Sequence, residues 1–169
     1  MPAKTSVQLM SNERINRSVI RMAYQIFEEC RGSSNLIILG IERRGVKLAQ
    51  LIKKELEKIT QSTIPLETVS VRGVKDERQH LPIDIAGKYV ILVDDVIFSG
   101  KTIYKAIQGI ADKGEPRKMM VAVLVDRGHR EYPIEAQFVG LESPTKLDEH
   151  VSVSFSKDGD PLEVILEKG

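Results

Sequence analysis

Apolar residues recur at Ile15, Val19, Met22, Ile26, Phe27 and Cys30, mostly three or four apart among polar neighbours. That period puts them on one face of a helix over 12–30. Ser11 or Asn12 is its natural N-cap, and Gly32 its stop. Leu36-Ile37-Ile38-Leu39 is then an unbroken apolar run, the pattern of a strand buried on both faces of a parallel sheet. A second helix is predicted over 46–59, with Val46, Ala49, Ile52, Leu56 and Ile59 facing inward. A strand near 65–71 leads into a polar stretch, 72–80, which follows neither period and reads as a mobile loop. Strands at 89–93, 119–125 and 137–141 and a helix over 102–111, ended by Gly114, complete the middle of the chain. Residues 151–155 and 162–166, around Lys157-Asp158-Gly159-Asp160-Pro161, read as a hairpin.

Strand and helix alternate from 36 to 125, which predicts an α/β fold with a central parallel sheet flanked by helices. In open sheets of this kind, ligands bind beyond the carboxyl ends of the strands. The residues that follow those strands therefore carry the functional argument.

The 169 residues hold no repeat, low-complexity tract or linker, and fit a single domain over 1–169. A net charge of +1 argues against a uniformly basic nucleic-acid binder. No apolar run approaches the roughly 20 residues that cross a bilayer. The first residues lack the apolar core of a secretory signal. Cys30 is the only cysteine, so an internal disulfide and a thiolate metal cluster are both excluded. The chain reads as cytoplasmic.

After Val93 an apolar strand gives way to Asp94 and Asp95, and Ser99-Gly100-Lys101-Thr102 then opens a helix. Glycine permits close backbone approach, and a helix start offers unpaired N–H groups and partial positive charge, which suits a phosphate. Carboxylates beside a phosphate repel it unless neutral hydroxyls lie between. A ribose 5-phosphate supplies both partners. Gly100-Lys101-Thr102 also matches the end of a P-loop, but that motif needs glycine where Asp95 stands. A bare Asp-Asp pair more often just ends a strand; the spacer, turn and helix that follow make this one specific. Upstream, Gly40-Ile41-Glu42-Arg43-Arg44-Gly45 lies between a strand and a helix, with glycines and adjacent arginines suited to an anion. Alone, it reads equally well as an exposed basic helix start.

The segment 90–102 resembles the phosphoribosyl-diphosphate signature of type I phosphoribosyltransferases. By that resemblance Asp94 and Asp95 bind the ribose hydroxyls, and Phe98, Ser99, Gly100, Lys101 and Thr102 hold the 5-phosphate, with no role given to the Lys101 side chain. Arg43 and Arg44 would face the diphosphate across a loop containing a cis peptide. Asp94, Asp95 and Arg44 form the implied catalytic set. Mg²⁺ is implied as cofactor, held mainly by substrate oxygens and water. The 72–80 segment would be a hood loop that closes over the site.

Downstream, Val125-Asp126-Arg127-Gly128-His129-Arg130-Glu131-Tyr132-Pro133 is similar to the pyrimidine-operon attenuator proteins that are also uracil phosphoribosyltransferases, and the likeness runs through nearly the whole chain. It implies a nucleobase, uracil, against Val125, Asp126, Arg127, Phe138 and Val139, and a homodimer or homotetramer. A lone loop histidine is more often structural or solvated than catalytic, so His129 is not assigned as a base. Attenuator members also bind messenger RNA through a basic surface. His129 and Arg130 match it, but Ile20 and Tyr24 replace a Thr and a His, Glu135 replaces an Arg, and Leu141 a Lys. Negative charge facing phosphate adds repulsion, which makes RNA binding the weaker half of the resemblance. The 72–80 loop lacks the family's Tyr-Arg-Asp-Asp run, so a purine-type acceptor remains the other alternative.

Overall fold

A computed structural model describes residues 5–71 and 83–168 of the chain. The loop read at 72–80 lies outside the described residues. In chain order the elements are β1 (Ser6–Ser11), α1 (Asn12–Glu29), β2 (Leu36–Ile41), α2 (Arg44–Thr60), β3 (Leu66–Val69) and β4 (Tyr89–Ile97). Then follow α3 (Lys101–Ile110), β5 (Lys118–Asp126), β6 (Phe138–Glu142), β7 (Glu149–Phe155) and β8 (Pro161–Lys168).

Five strands form a parallel sheet in the order β3-β2-β4-β5-β6. Alternation along each strand divides the core in two. Ile38, Ile91, Val93, Ala122 and Leu124 point to one face, under α1 and α2. Ile37, Leu39, Leu92, Val121 and Val123 point to the other, under Ile103, Ala106 and Ile110 of α3. A second, antiparallel sheet, β1-β8-β7, adds Met10, Val151, Val153 and Val164 to the first of these layers. Its β7–β8 pair is the predicted tail hairpin. No helix among the described residues is long and apolar enough to cross a membrane.

The helix starts and stops have local causes. The Ser11 hydroxyl accepts from the Arg14 amide at 3.3 Å, which makes Ser11 the cap and Asn12 the first helical residue. The helix ends at Glu29, and Gly32 closes the turn beyond it at φ 68°, donating to the Phe27 carbonyl at 2.9 Å. Helix α2 starts two residues before the predicted 46, and its inner stripe differs from the predicted one. Leu48 joins Ala49, Ile52 and Leu56 inside, while Val46 and Ile59 are only half-buried.

Two expectations are corrected. Strand β1 was not predicted, and its pairing with β8 explains it: Ser6 lies opposite Glu167, and Met10 opposite Val164. Strand β4 does not end at Val93. It continues through both aspartates to Ile97, in register with β5 as far as Ile97 opposite Asp126. Pairing along β5 overrides the weak strand propensity of the acids.

Candidate active site

After β2 the chain crosses through α2 to β3 on one side of the sheet; after β3 it crosses to β4 on the other side of β2. The gap between the carboxyl ends of β2 and β4 is thus the switch point, where the connections diverge and leave a crevice. The two sequence motifs flank that gap.

On the β2 side the Glu42–Arg43 peptide is cis, as the resemblance implied. Arg43 is the N-cap of α2 and Arg44 its first residue; both are exposed, and among the described residues neither guanidinium has a polar partner. Gly45 brings this turn against β4. A Cβ built there would stand 2.6 Å from the Val93 carbonyl oxygen, so only glycine allows the approach. Gly40 does the same within the unit, since its Cβ would meet the Val46 Cα at 2.8 Å.

On the β4 side Asp94 is 9% exposed and Asp95 half-buried. Asp94 Oδ1 accepts from the Asp95 amide at 2.9 Å. Burial, and then the Asp95 charge beside it, push the Asp94 carboxyl up to about 8. Beyond β4 the turn reaches Gly100, which caps α3 at φ 85° and itself offers no side chain to the helix start. The Ser99 hydroxyl accepts from the Lys101 amide at 3.3 Å. A cavity of about 190 Å³ opens over this turn, lined by Asp94 and by residues 96–103. Phe98, Ser99, Gly100, Lys101 and Thr102 are all in its wall; Asp95 is not. The anion-binding features of a helix start therefore face an open space beside a carboxyl group.

The residues implied for the base are differently placed. The side chains of Val125 and Phe138, at 0% and 4% exposure, are packed into the core, so a base beside them would meet backbone. Val139 is half-buried, and its carbonyl accepts from Arg21 at 3.0 Å. Arg127 is buried: its Nε donates to the Thr145 hydroxyl at 2.9 Å, its Nη2 to the Glu149 carbonyl at 2.5 Å, and its guanidinium lies 4.4 Å from the Phe98 ring centre. Burial lowers its pKa, against the Glu149 charge. Asp126 is paired with Arg130 at 2.7 Å. His129, at φ 58°, places a ring nitrogen on the Thr145 carbonyl and its ring 5.5 Å from that of Phe98. These are structural contacts, in line with the bland reading of a lone histidine.

Sequence reasoning missed two residues. Gly45 was read only as a loop end, although a glycine followed by a regular helix is a signal of close approach. Arg130 was read as a surface cation; its spacing of four from Asp126 was the available clue.

Among the described residues no group of three or more His, Cys, Asp or Glu side chains converges to hold a metal. The donor set at the gap, the Asp94 carboxyl in the wall over the anion turn with Asp95 next to it in the chain, fits a divalent cation bound chiefly through substrate oxygens.

Fold and site together define a type I phosphoribosyltransferase. A family model described as a phosphoribosyl transferase domain matches residues 6–158. The bifunctional protein PyrR of Pelotomaculum thermopropionicum is 38% identical over 177 residues, covering 98% of each chain. The pyrimidine operon regulatory protein of Lactococcus lactis is 40% identical over 167 residues, covering 95% of this chain and 96% of that one. The chain belongs to this PyrR family of phosphoribosyltransferases. Among solved structures, the hypoxanthine phosphoribosyltransferase of Trypanosoma cruzi matches with a TM-score of 0.75, covering 94% of each chain. At 16% identity that likeness shows the fold alone.

Proposed function

We propose that the protein transfers the ribose-5-phosphate group of phosphoribosyl diphosphate to uracil, giving UMP and diphosphate. The observation that carries the reading is the contact of Gly45 with the Val93–Asp94 backbone, which sets an arginine-bearing turn beside a carboxylate and phosphate-binding turn. The first suits a diphosphate, the second a ribose 5-phosphate, and phosphoribosyl diphosphate joins the two. The choice of uracil rests on the downstream resemblance and on relatives named as pyrimidine operon regulators.

In this mechanism Asp94 and Asp95 accept hydrogen bonds from the ribose hydroxyls, and the 98–102 turn holds the 5-phosphate. A uracil ring nitrogen bonds to the anomeric carbon as the bond to diphosphate breaks, with oxocarbenium character between, and the proton that nitrogen carried leaves to water or to the departing diphosphate. Arg43 and Arg44 stabilise the charge that gathers on the departing diphosphate. Mg²⁺, when bound, would supply further neutralisation of that leaving group, and Asp94 and Asp95 are the carboxylates that would help hold it beside substrate oxygens.

Purified protein incubated with phosphoribosyl diphosphate, Mg²⁺ and a panel of nucleobases tests this directly. UMP formation is expected; turnover of hypoxanthine or guanine alone would replace uracil, and turnover of no base would end the enzymatic reading. Asp95→Asn is expected to weaken phosphoribosyl diphosphate while leaving the fold intact. Unchanged donor affinity would remove the ribose contact.

A second reading, RNA control of pyrimidine genes, is favoured by the relatives' names. Exposed Ile20, Tyr24 and Glu135 oppose it, since none attracts phosphate. A gel shift with leader RNA from pyrimidine genes decides between them: tight, UMP-enhanced binding would establish the regulatory role.

A further inference from the structure

Three successive carbonyls, from the last residue of β4 into the turn after it, are held by the segment after β5. The Ile97 carbonyl accepts from the Arg127 amide at 3.0 Å. The Ser99 carbonyl accepts from the amides of Glu131 and Tyr132 at 2.9 and 3.0 Å. Between them, the Phe98 carbonyl accepts from a side chain, Arg130 Nη1, at 2.9 Å.

These peptides are trans, since the one cis bond among the described residues lies at Glu42–Arg43. In a trans peptide the C=O and the following N–H point in opposite directions. Holding the carbonyls of 97, 98 and 99 on the β5 side therefore turns the amides of Phe98, Ser99 and Gly100 to the other side. Successive amides turned one way form an anion-binding concavity. Those three residues line the cavity over the turn.

The guanidinium that holds the middle carbonyl is itself fixed. Arg130 makes a two-point contact with the Asp126 carboxylate, Nη2 at 2.7 Å and Nη1 at 3.0 Å, and its Nε donates to the Ile134 carbonyl at 2.8 Å. Ile134 in turn packs over Gly100, where an added Cβ would stand 3.1 Å from the Ile134 Cβ. Four of the five N–H groups of the guanidinium are thus committed inside the protein, and the residue is a poor candidate for an outward phosphate contact.

We propose that Arg130 is a positioning residue for the donor site: through the Phe98 carbonyl it orients the amide cradle for the 5-phosphate without touching substrate. The proposal rests on the phosphoribosyl diphosphate reading. It separates charge from geometry, because a lysine keeps the positive charge beside Asp126 but cannot span acceptors in three directions from one planar fork.

The test is calorimetric binding of ribose 5-phosphate and of diphosphate, each with Mg²⁺, to wild-type protein, Arg130→Gln and Arg130→Lys, alongside thermal unfolding. Both variants are expected to lose about tenfold or more in ribose 5-phosphate affinity, with diphosphate affinity held within about twofold. Wild-type affinity in Arg130→Lys would reduce the residue to a charge and overturn the proposal. So would unchanged ribose 5-phosphate binding in Arg130→Gln, equal loss of both ligands, or failure of both variants to fold. A wild-type protein that binds neither ligand overturns the donor-site reading as well, whereas normal wild-type binding with unaffected variants sinks only the role of Arg130.

Discussion

Gly45 lies so close to Asp94 that a Cβ on the glycine would stand 3.1 Å from the aspartate Cα and 3.3 Å from its Oδ1. The distance between the two halves of the donor site is therefore set by the absence of one methyl group.

Gly45→Ala is expected to push the start of α2 away from β4. The obstructing atoms are backbone, so the strain cannot be relieved by a rotamer change, and a loss of about 1–3 kcal/mol in stability follows. The same displacement should raise the KM for phosphoribosyl diphosphate more than that for the base. Urea unfolding and steady-state kinetics check both halves; a variant with wild-type stability and donor KM would show that the approach is not required.

The Asp94 carboxyl gives a pH signature. Its folded value of about 8 lies far above that of an unfolded aspartate, so the folded state holds the proton more tightly. Its contribution to stability is complete below about pH 4 and is lost as pH rises through about 8. Asp94→Asn stays neutral throughout. Relative to wild type, the variant should gain stability steadily between those limits. Parallel stability profiles for the two proteins in the absence of ligand would contradict the assignment.

Cys30 offers a simple probe of the intact core. It is fully buried behind α1, and burial, with the Glu29 charge second, pushes its thiol up to about 11. The thiolate is the reactive form, so the native protein should resist a disulfide reagent at pH 8 and react once unfolded. Rapid labelling of the folded protein would show that the layer under α1 opens readily.

The helices and the inner strands were legible because Ile15 to Ile26, Ile52 to Leu56 and Val90 to Val93 carry burial as local periodicity. The phosphate turn was legible because Gly100 and the helix after it are contiguous with the acids. What escaped depends on partners far along the chain. Strand β1 has a single fully buried residue, Met10, and owes its form to β8. Asp94 and Asp95 sit inside a strand because β5 pairs beside them. Arg130 looks like a surface cation until Phe98, 32 residues earlier, is placed against it. Val125 and Phe138 were assigned to a base by resemblance, yet their side chains complete the core.

The three-stranded sheet also bears on the order in which the molecule assembles. Pairing Ser6 with Glu167, and donating the Lys168 amide to the Thr5 carbonyl at 3.1 Å, closes the longest loop among the described residues. Strands β4 and β5 close a much shorter one, across a single helix, and loop-closure entropy favours the shorter event. Strand β1 should therefore pair last, with β4 and β5 amides protected before those of β1 in pulse-labelled hydrogen exchange. A chain caught before that last pairing would hold its ligand-binding crevice nearly complete while the apolar side of Met10, Val151 and Val164 stood open to water, a state competent to bind yet prone to aggregate.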